Sequence, residues 1–238
     1  TIGAIVGREV GKHSKPTSFT ATGPNQVYTW DITYLPAKVR GQHYYLYVIE
    51  DIYSRKIVGW QVHAEERSVL AADLMTNICQ REGIKRHQVT LHSDNGSPMK
   101  GATMLATLQQ LGIIPSFSRP SVSNDNPYSE SLFRTLKYRP AYPDQPFVDL
   151  QAARLWVQGF VDWYNLEHRH SGIKFVTPVQ RHTGEDIQIL ANRHQVYLKA
   201  KSVNPLRWSG GIRNWNPIKE VNLNPEKQKT KKNEDKAA

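Results

Sequence analysis

Apolar residues gather in three early runs, VYTWDITYL from Val27, HYYLYVIED from His43 and KIVGWQVH from Lys56. They are dense in Val, Ile, Tyr and Trp, the residues that suit a pleated, half-buried surface, and they predict strands. Short polar links at Arg40-Gly41 and Tyr53-Ser54-Arg55 predict antiparallel hairpins between them. The spacing then changes to that of a helix. From about Ser68 to Glu82, Ala71, Leu74, Met75 and Ile78 share one face, and Gly83 marks the stop. Val89, Thr90 and Leu91 read as the end of a buried strand. Ser97, as N-cap, and Pro98 open a helix that runs to Leu111, with Gly112 behind it. GIIPSFS is a further strand, followed by the polar loop RPSVSNDNPYSE. Asn126 (N-cap) and Pro127 (first helical position) start the next helix. A long amphipathic helix is expected from about Asp149 to Leu166, with Trp156, Phe160 and Trp163 on its apolar side, and Thr177-Pro178 opens another. Three strands, helix, strand, helix, strand, helix is an α/β arrangement: a mixed five-stranded sheet with helices on its faces.

The same pattern divides the chain. Residues 1–25, rich in Gly, Lys, Ser, Thr and Pro, are expected to be a flexible lead-in, and residues 26–185 the α/β domain. Residues 186–225 add a helix and a small aromatic module in which Trp208 and Trp215 pack, and residues 226–238 a basic disordered tail. The chain begins at Thr1 rather than Met, which leaves room for an upstream segment.

Charge narrows the partner. The 238 residues carry a formal charge of +10, which favours a polyanion, with nucleic acid first among the choices. A lone cysteine, Cys79, excludes an internal disulfide and a multi-cysteine zinc site. Nothing reads as a signal peptide or a membrane span, so a cytoplasmic protein with no membrane partner is expected.

Three acids stand out. Alternation in the first strand puts Thr29, Asp31 and Thr33 on one face, so Asp31 lies among apolar neighbours in a central strand. A carboxylate there is costly unless it is paired or binds a metal. Asp94, in TLHSDNGSPMK, lies on a strand-to-helix turn, and Glu130 lies in the first turns of a helix. Each alone has an ordinary reading: an Asp bonded to backbone or Arg, an Asp-Asn-Gly turn, a Glu near a helix start. Together they converge where strand ends meet a helix start. Three carboxylates forced together repel and call for a divalent cation, and oxygen-only ligands favour Mg²⁺ or Mn²⁺. A pair of such ions serves phosphoryl transfer. The expected activity is metal-dependent chemistry on nucleic-acid phosphodiesters. Asp51, at a hairpin turn, is read as a local backbone-bonding Asp instead.

Asp94 and Glu130 are separated by 35 residues, and with Asp31 they resemble the D, D-35-E triad of retroviral-integrase-like transposases. WDITYL, DIYSRKIVGW, HSDNGSPM, SRPSVSNDNPYSESLFRTLKY and WYNLEHRHSGI with TPVQ resemble, in order, blocks of the catalytic half of bacterial insertion-sequence transposases of this class. The likeness runs from about Val27 to Gly184 and resumes in RWSGGIRNWNP. It implies an RNase H-like fold, dependence on Mg²⁺ or Mn²⁺ (two ions), and Asp31, Asp94 and Glu130 as catalytic metal ligands. It also implies strand cleavage at transposon ends by activated water and strand transfer by the 3′-hydroxyl. The implied partners are double-stranded DNA, as terminal inverted repeats and target, and further copies of the chain assembled on it. The helix-turn-helix region usual in the family is not visible here. Around the acids, His92, Asn95, Arg119 and Asn126 are expected to meet or organise DNA. Arg134 and Lys137, four and seven residues after Glu130, are placed for phosphates on the same helical face. Two rival readings are an RNase H-like nuclease that only hydrolyses and a DNA-binding remnant without catalysis.

Overall fold

The computed structural model describes residues 18–119 and 125–225. In chain order β1 (Phe19–Ala21) is followed by β2 (Val27–Pro36), β3 (His43–Asp51), β4 (Ile57–His63), α1 (Ser68–Arg81) and β5 (Thr90–Ser93). Next come α2 (Ser97–Lys100), α3 (Ala102–Leu111), β6 (Ile114–Phe117), α4 (Pro127–Tyr138), α5 (Leu150–Leu166), α6 (Pro178–His182), α7 (Asp186–Val203) and β7 (Val221–Leu223). Five strands form one sheet in the order β4-β3-β2-β5-β6. The hairpins pair antiparallel, β2 with β3 and β3 with β4, while β5 joins β2, and β6 joins β5, in parallel. The sheet is therefore mixed, and β2 is its central strand.

Alternation along β2 feeds two cores. Tyr28 and Trp30 point to one face, where they pack with Tyr47 and Ile49 against Leu74, Met75 and Ile78 of α1 and Met104 and Leu108 of α3. Leu35 points the other way, joining Leu46 and Val48 against Leu132 and Leu136 of α4 and Val157, Phe160 and Tyr164 of α5. Side chains of this size each contribute roughly 1.5–3 kcal/mol when fully buried, so both faces hold their helices firmly. Thr29, Asp31 and Thr33 share the α4–α5 side with Leu35, which aims Asp31 toward the helix that carries Glu130. On the other face Gly59 lets α1 approach: a Cβ there would lie 2.2 Å from Ile78 Cδ1.

The expected single helix from Pro98 to Leu111 is two helices. Gly101 breaks it in an extended conformation (ψ 139°), and the close approach of α1 admits only glycine there: a Cβ would meet Ser68 Cβ at 2.5 Å. Gly96 occupies the N-cap position expected of Ser97, which is already helical. Asp149 caps α5 by accepting a hydrogen bond from Ala152 N, and Thr177 forms a capping box with Gln180 at α6.

The expected lead-in of residues 1–25 is corrected at its end. Phe19–Ala21 pairs antiparallel with Val221–Leu223, and Ala21 packs with Val27, Ile52 and Tyr128. Bonding between strands some 200 residues apart has no local signature, so composition alone reads this stretch as loop. Residues 1–17 and the expected tail 226–238 lie outside the described residues. Of the C-terminal aromatics, Trp215 is buried with Ile173, Val176 and Leu190, and Tyr197 stands edge-on to both Trp208 and Trp215.

Candidate active site

Register brings the first two acids together. Trp30 of β2 pairs with Ser93 of β5, so Asp31 and Asp94 are the next residues along two parallel neighbours. The Asp31 Oδ1 accepts from the Ile32 amide at 2.7 Å. Burial pushes the Asp31 carboxyl up to about 7, and the neighbouring charge of Asp94, then those of Glu130 and Glu66, push the same way against that amide. Asp94 leaves the end of β5, and its Oδ1 accepts from the Gly96 amide at 2.9 Å. The turn requires glycine: a Cβ at Gly96 would lie 2.7 Å from the Met99 sulfur and 3.0 Å from Asp94 Oδ1. Glu130 stands exposed in the first turn of α4.

A buried polar row positions that helix. Glu50, Thr29, His92 and Ser116 are aligned across β3, β2, β5 and β6. All four are buried, and the row lies one pleat behind Asp31. His92 is 1% exposed, its Nδ1 bonds Ser116 Oγ at 2.9 Å, and its Nε2 lies 3.0 Å from the carbonyl of Asp125. Burial holds the ring below the ordinary histidine pKa, so it is neutral, with Nε2–H donating to the carbonyl while Nδ1 accepts from the serine hydroxyl. Both nitrogens are taken, and the direct DNA contact expected of His92 gives way to a positioning role: it ties β5 and β6 to Asp125, two residues before α4. Asn126 is also buried. Its side chain makes no cap bond but donates to the carbonyl of Trp30 at 3.3 Å, fastening the start of α4 to β2 beside Asp31. Asn95 donates to Ser118 O at 2.6 Å.

Arg119 grips Asp125 through Nε at 3.0 Å and Nη2 at 2.9 Å, and this pairing holds the Asp125 carboxyl below its ordinary range. Arg134 and Lys137 are exposed on α4, on the face of Glu130. Asp51 is fully buried, accepts from the Asn25 and Tyr53 amides, and faces His182, a structural carboxylate.

Among the described residues, none of the three acids forms an ion pair, and no group of three His, Cys, Asp or Glu side chains stands close enough to hold an ion as placed. The donor set fits a hard divalent cation all the same: oxygen only, crowded with like charge, and uncompensated by Lys or Arg. Glu130, exposed and with three rotatable side-chain bonds, has the freedom to complete it. Sequence reasoning passed over Glu50 and Glu66. Glu50 lay in an apolar run with nothing to say which face it took, and Glu66 lies 35 residues from Asp31 with no motif around it.

Two models described as integrase core domain match residues 21–123 and 111–178. The transposase for insertion sequence element IS904 of Lactococcus lactis is 34% identical over 161 residues, covering 67% of this chain and 62% of that protein. Transposase InsF for insertion sequence IS3A of Escherichia coli K12 is 30% identical over 175 residues, 73% of this chain and 59% of that one. The chain thus spans about three fifths of the length of the relatives it matches. Among solved structures, a chain of the simian T-cell lymphotropic virus intasome matches with a TM-score of 0.56 at 19% identity, over 72% of this chain and 60% of that chain. The catalytic core domain of BIV integrase matches with a TM-score of 0.50 at 21% identity, over 68% and 96%. The fold is the RNase H-like fold of integrase catalytic cores, and the chain belongs to the integrase core family.

Proposed function

We propose that the chain is the catalytic part of a DDE transposase, which cuts DNA at insertion-sequence ends and joins the freed strand to target DNA. The observation that carries this reading is the Asp31–Asp94 pair on adjacent parallel strands, with Glu130 near enough on α4 for its charge to help raise the Asp31 carboxyl. Asp31, Asp94 and Glu130 would hold Mg²⁺ or Mn²⁺, one ion or two. A magnesium-bound structure exists for the similar HTLV-2 integrase core, whose TM-score to this chain is 0.50. When bound, the ions supply charge stabilisation for the attacking and leaving oxygens.

The chain's own residues do the rest. Asp31, raised to about 7, would have to release its proton to hold a cation, so occupancy would rise with pH. Arg134 and Lys137 bind backbone phosphates and align the duplex along α4. In cleavage a water oxygen attacks phosphorus and the 3′-oxygen leaves as a hydroxyl. In joining that hydroxyl loses its proton as its oxygen attacks a target phosphodiester, and the target's displaced 3′-oxygen takes up a proton and leaves as a hydroxyl. The partners are double-stranded DNA and further copies of this chain assembled on it. No described helix is long and apolar enough to cross a membrane, and the site of action is bacterial DNA in the cytoplasm.

Incubating the protein with labelled terminal repeats and Mn²⁺ should yield both nicked and joined strands. Nicking without joining would favour the hydrolytic nuclease, and binding without nicking the non-catalytic remnant.

A further inference from the structure

Beside the proposed DNA path lies a cleft of about 670 Å³ between α4 and the end of α5. This is within the range of roughly 300–1,000 Å³ typical of small-ligand sites. Ser131, Arg134 and Tyr138 line it from α4, and Arg139, Trp163 and His168 close it. At 100° per residue the Ser131–Tyr138 side is about a quarter-turn round α4 from Glu130 and Lys137, and Arg134 stands on the boundary.

The lining combines aromatic rings with cationic groups. Tyr138 is 82% exposed, a large ring held out at the rim with no aromatic partner among the described residues. Inside, the Arg139 guanidinium lies 3.8 Å over the Trp163 ring, and the His168 ring stands 4.8 Å from Trp163. Burial, with Arg139 beside it, holds His168 below the ordinary histidine pKa, so at neutral pH it offers a ring rather than a charge. None of these groups serves the three acids.

We infer that this cleft takes the base of an unpaired nucleotide whose phosphate is held by Arg134. The inference rests on the DNA reading above. A base within a duplex is stacked and cannot enter, whereas a base at a frayed or single-stranded flank can lie against Tyr138 and the Arg139–Trp163 stack. Stacking on aromatic and guanidinium faces accepts any base, so the cleft senses strand separation rather than sequence. Its place beside the acid-bearing face puts that sensing where a strand would be parted for cutting.

The test compares a blunt duplex with the same duplex carrying a short unpaired thymine tail, by fluorescence anisotropy at fixed salt and without divalent ion. The wild-type chain should bind the tailed duplex about tenfold more tightly. Tyr138→Ala should remove that preference while leaving affinity for the blunt duplex unchanged, Tyr138→Phe should retain it, and an abasic tail should abolish it. Because Tyr138 is exposed, its loss leaves the fold intact. Equal binding of tailed and blunt duplexes by the wild type, or a preference that survives in Tyr138→Ala or with the abasic tail, overturns the inference and leaves the DNA reading standing. Binding of neither duplex overturns both.

Discussion

Asp31 and Asp94 stand abreast because Trp30 and Ser93, the residues before them, are register partners in the parallel β2–β5 pair. After burial, the charge of Asp94 is the largest influence raising the Asp31 carboxyl to about 7. Asp94→Asn should therefore lower the Asp31 pKa in the metal-free protein, as followed by carboxyl NMR. It should also abolish nicking and joining, by more than about a hundredfold, while DNA binding persists. Retained cleavage would place the chemistry elsewhere.

Glu130 and Lys137 separate chemistry from binding on one helix. Seven residues at about 1.5 Å each put Lys137 roughly 10 Å along α4, too far to touch the ions. Lys137→Ala should weaken binding to duplex DNA and reduce the slope of log affinity against log salt by about 0.9, while turnover at saturation survives. Glu130→Gln should spare affinity and eliminate turnover. An unchanged salt slope in Lys137→Ala would make that face merely solvated.

Glu50 predicts how stability varies with pH. It is fully buried, one oxygen lies 3.5 Å from the Tyr164 hydroxyl and the other has no partner, and burial raises its carboxyl from 4.5 to about 8 despite Arg55. The folded state thus binds this proton more tightly than the unfolded chain. The contribution is fully present below about 4.5 and is lost as pH rises to about 8. Glu50→Gln keeps an acceptor for Tyr164 and cannot ionise. Urea midpoints should show it more stable than wild type above pH 8, by on the order of a few kcal/mol, with little difference at pH 4.

Gly59 and Ile78 form a contact in which one atom decides the packing of α1. Gly59→Ala drives a methyl into Ile78 Cδ1, so urea unfolding should show a loss of roughly 1–3 kcal/mol. Ile78→Ala should cost about 2–5 kcal/mol alone. Combined, the two should cost clearly less than their sum, since the added methyl fills part of the space that is vacated. Additive losses would mean that the helix does not rest on this glycine.

Much of the site was legible because strand alternation and helix punctuation are local. Asp31 on the polar side of β2, Asp94 on the turn after β5, and Pro127 opening the helix of Glu130 all follow from neighbours within a few residues. The misreadings arose where a distant partner decides. His92 looks free in TLHSDNGSPMK, but its bonds go to Ser116 and the Asp125 carbonyl, more than twenty residues away. Gly101 reads as a tolerated glycine within a helix until Ser68 is seen against it.

The sequence by itself determined the five strands of the main sheet and the principal helices that flank it, which face of each is apolar, and that three acids sit at a strand centre, a strand end and a helix start. Those are properties of side-chain period and local backbone preference, carried within short windows. Only the tertiary structure decided strand order and register, and with them the meeting of Asp31 and Asp94. It also aligned the row Glu50–Thr29–His92–Ser116, paired Phe19–Ala21 with Val221–Leu223, and set Tyr138 and Trp163 on one cleft. Each of these joins segments far apart in the chain, where pairing is selected by burying whole faces at once, a sum over many residues that no single motif records.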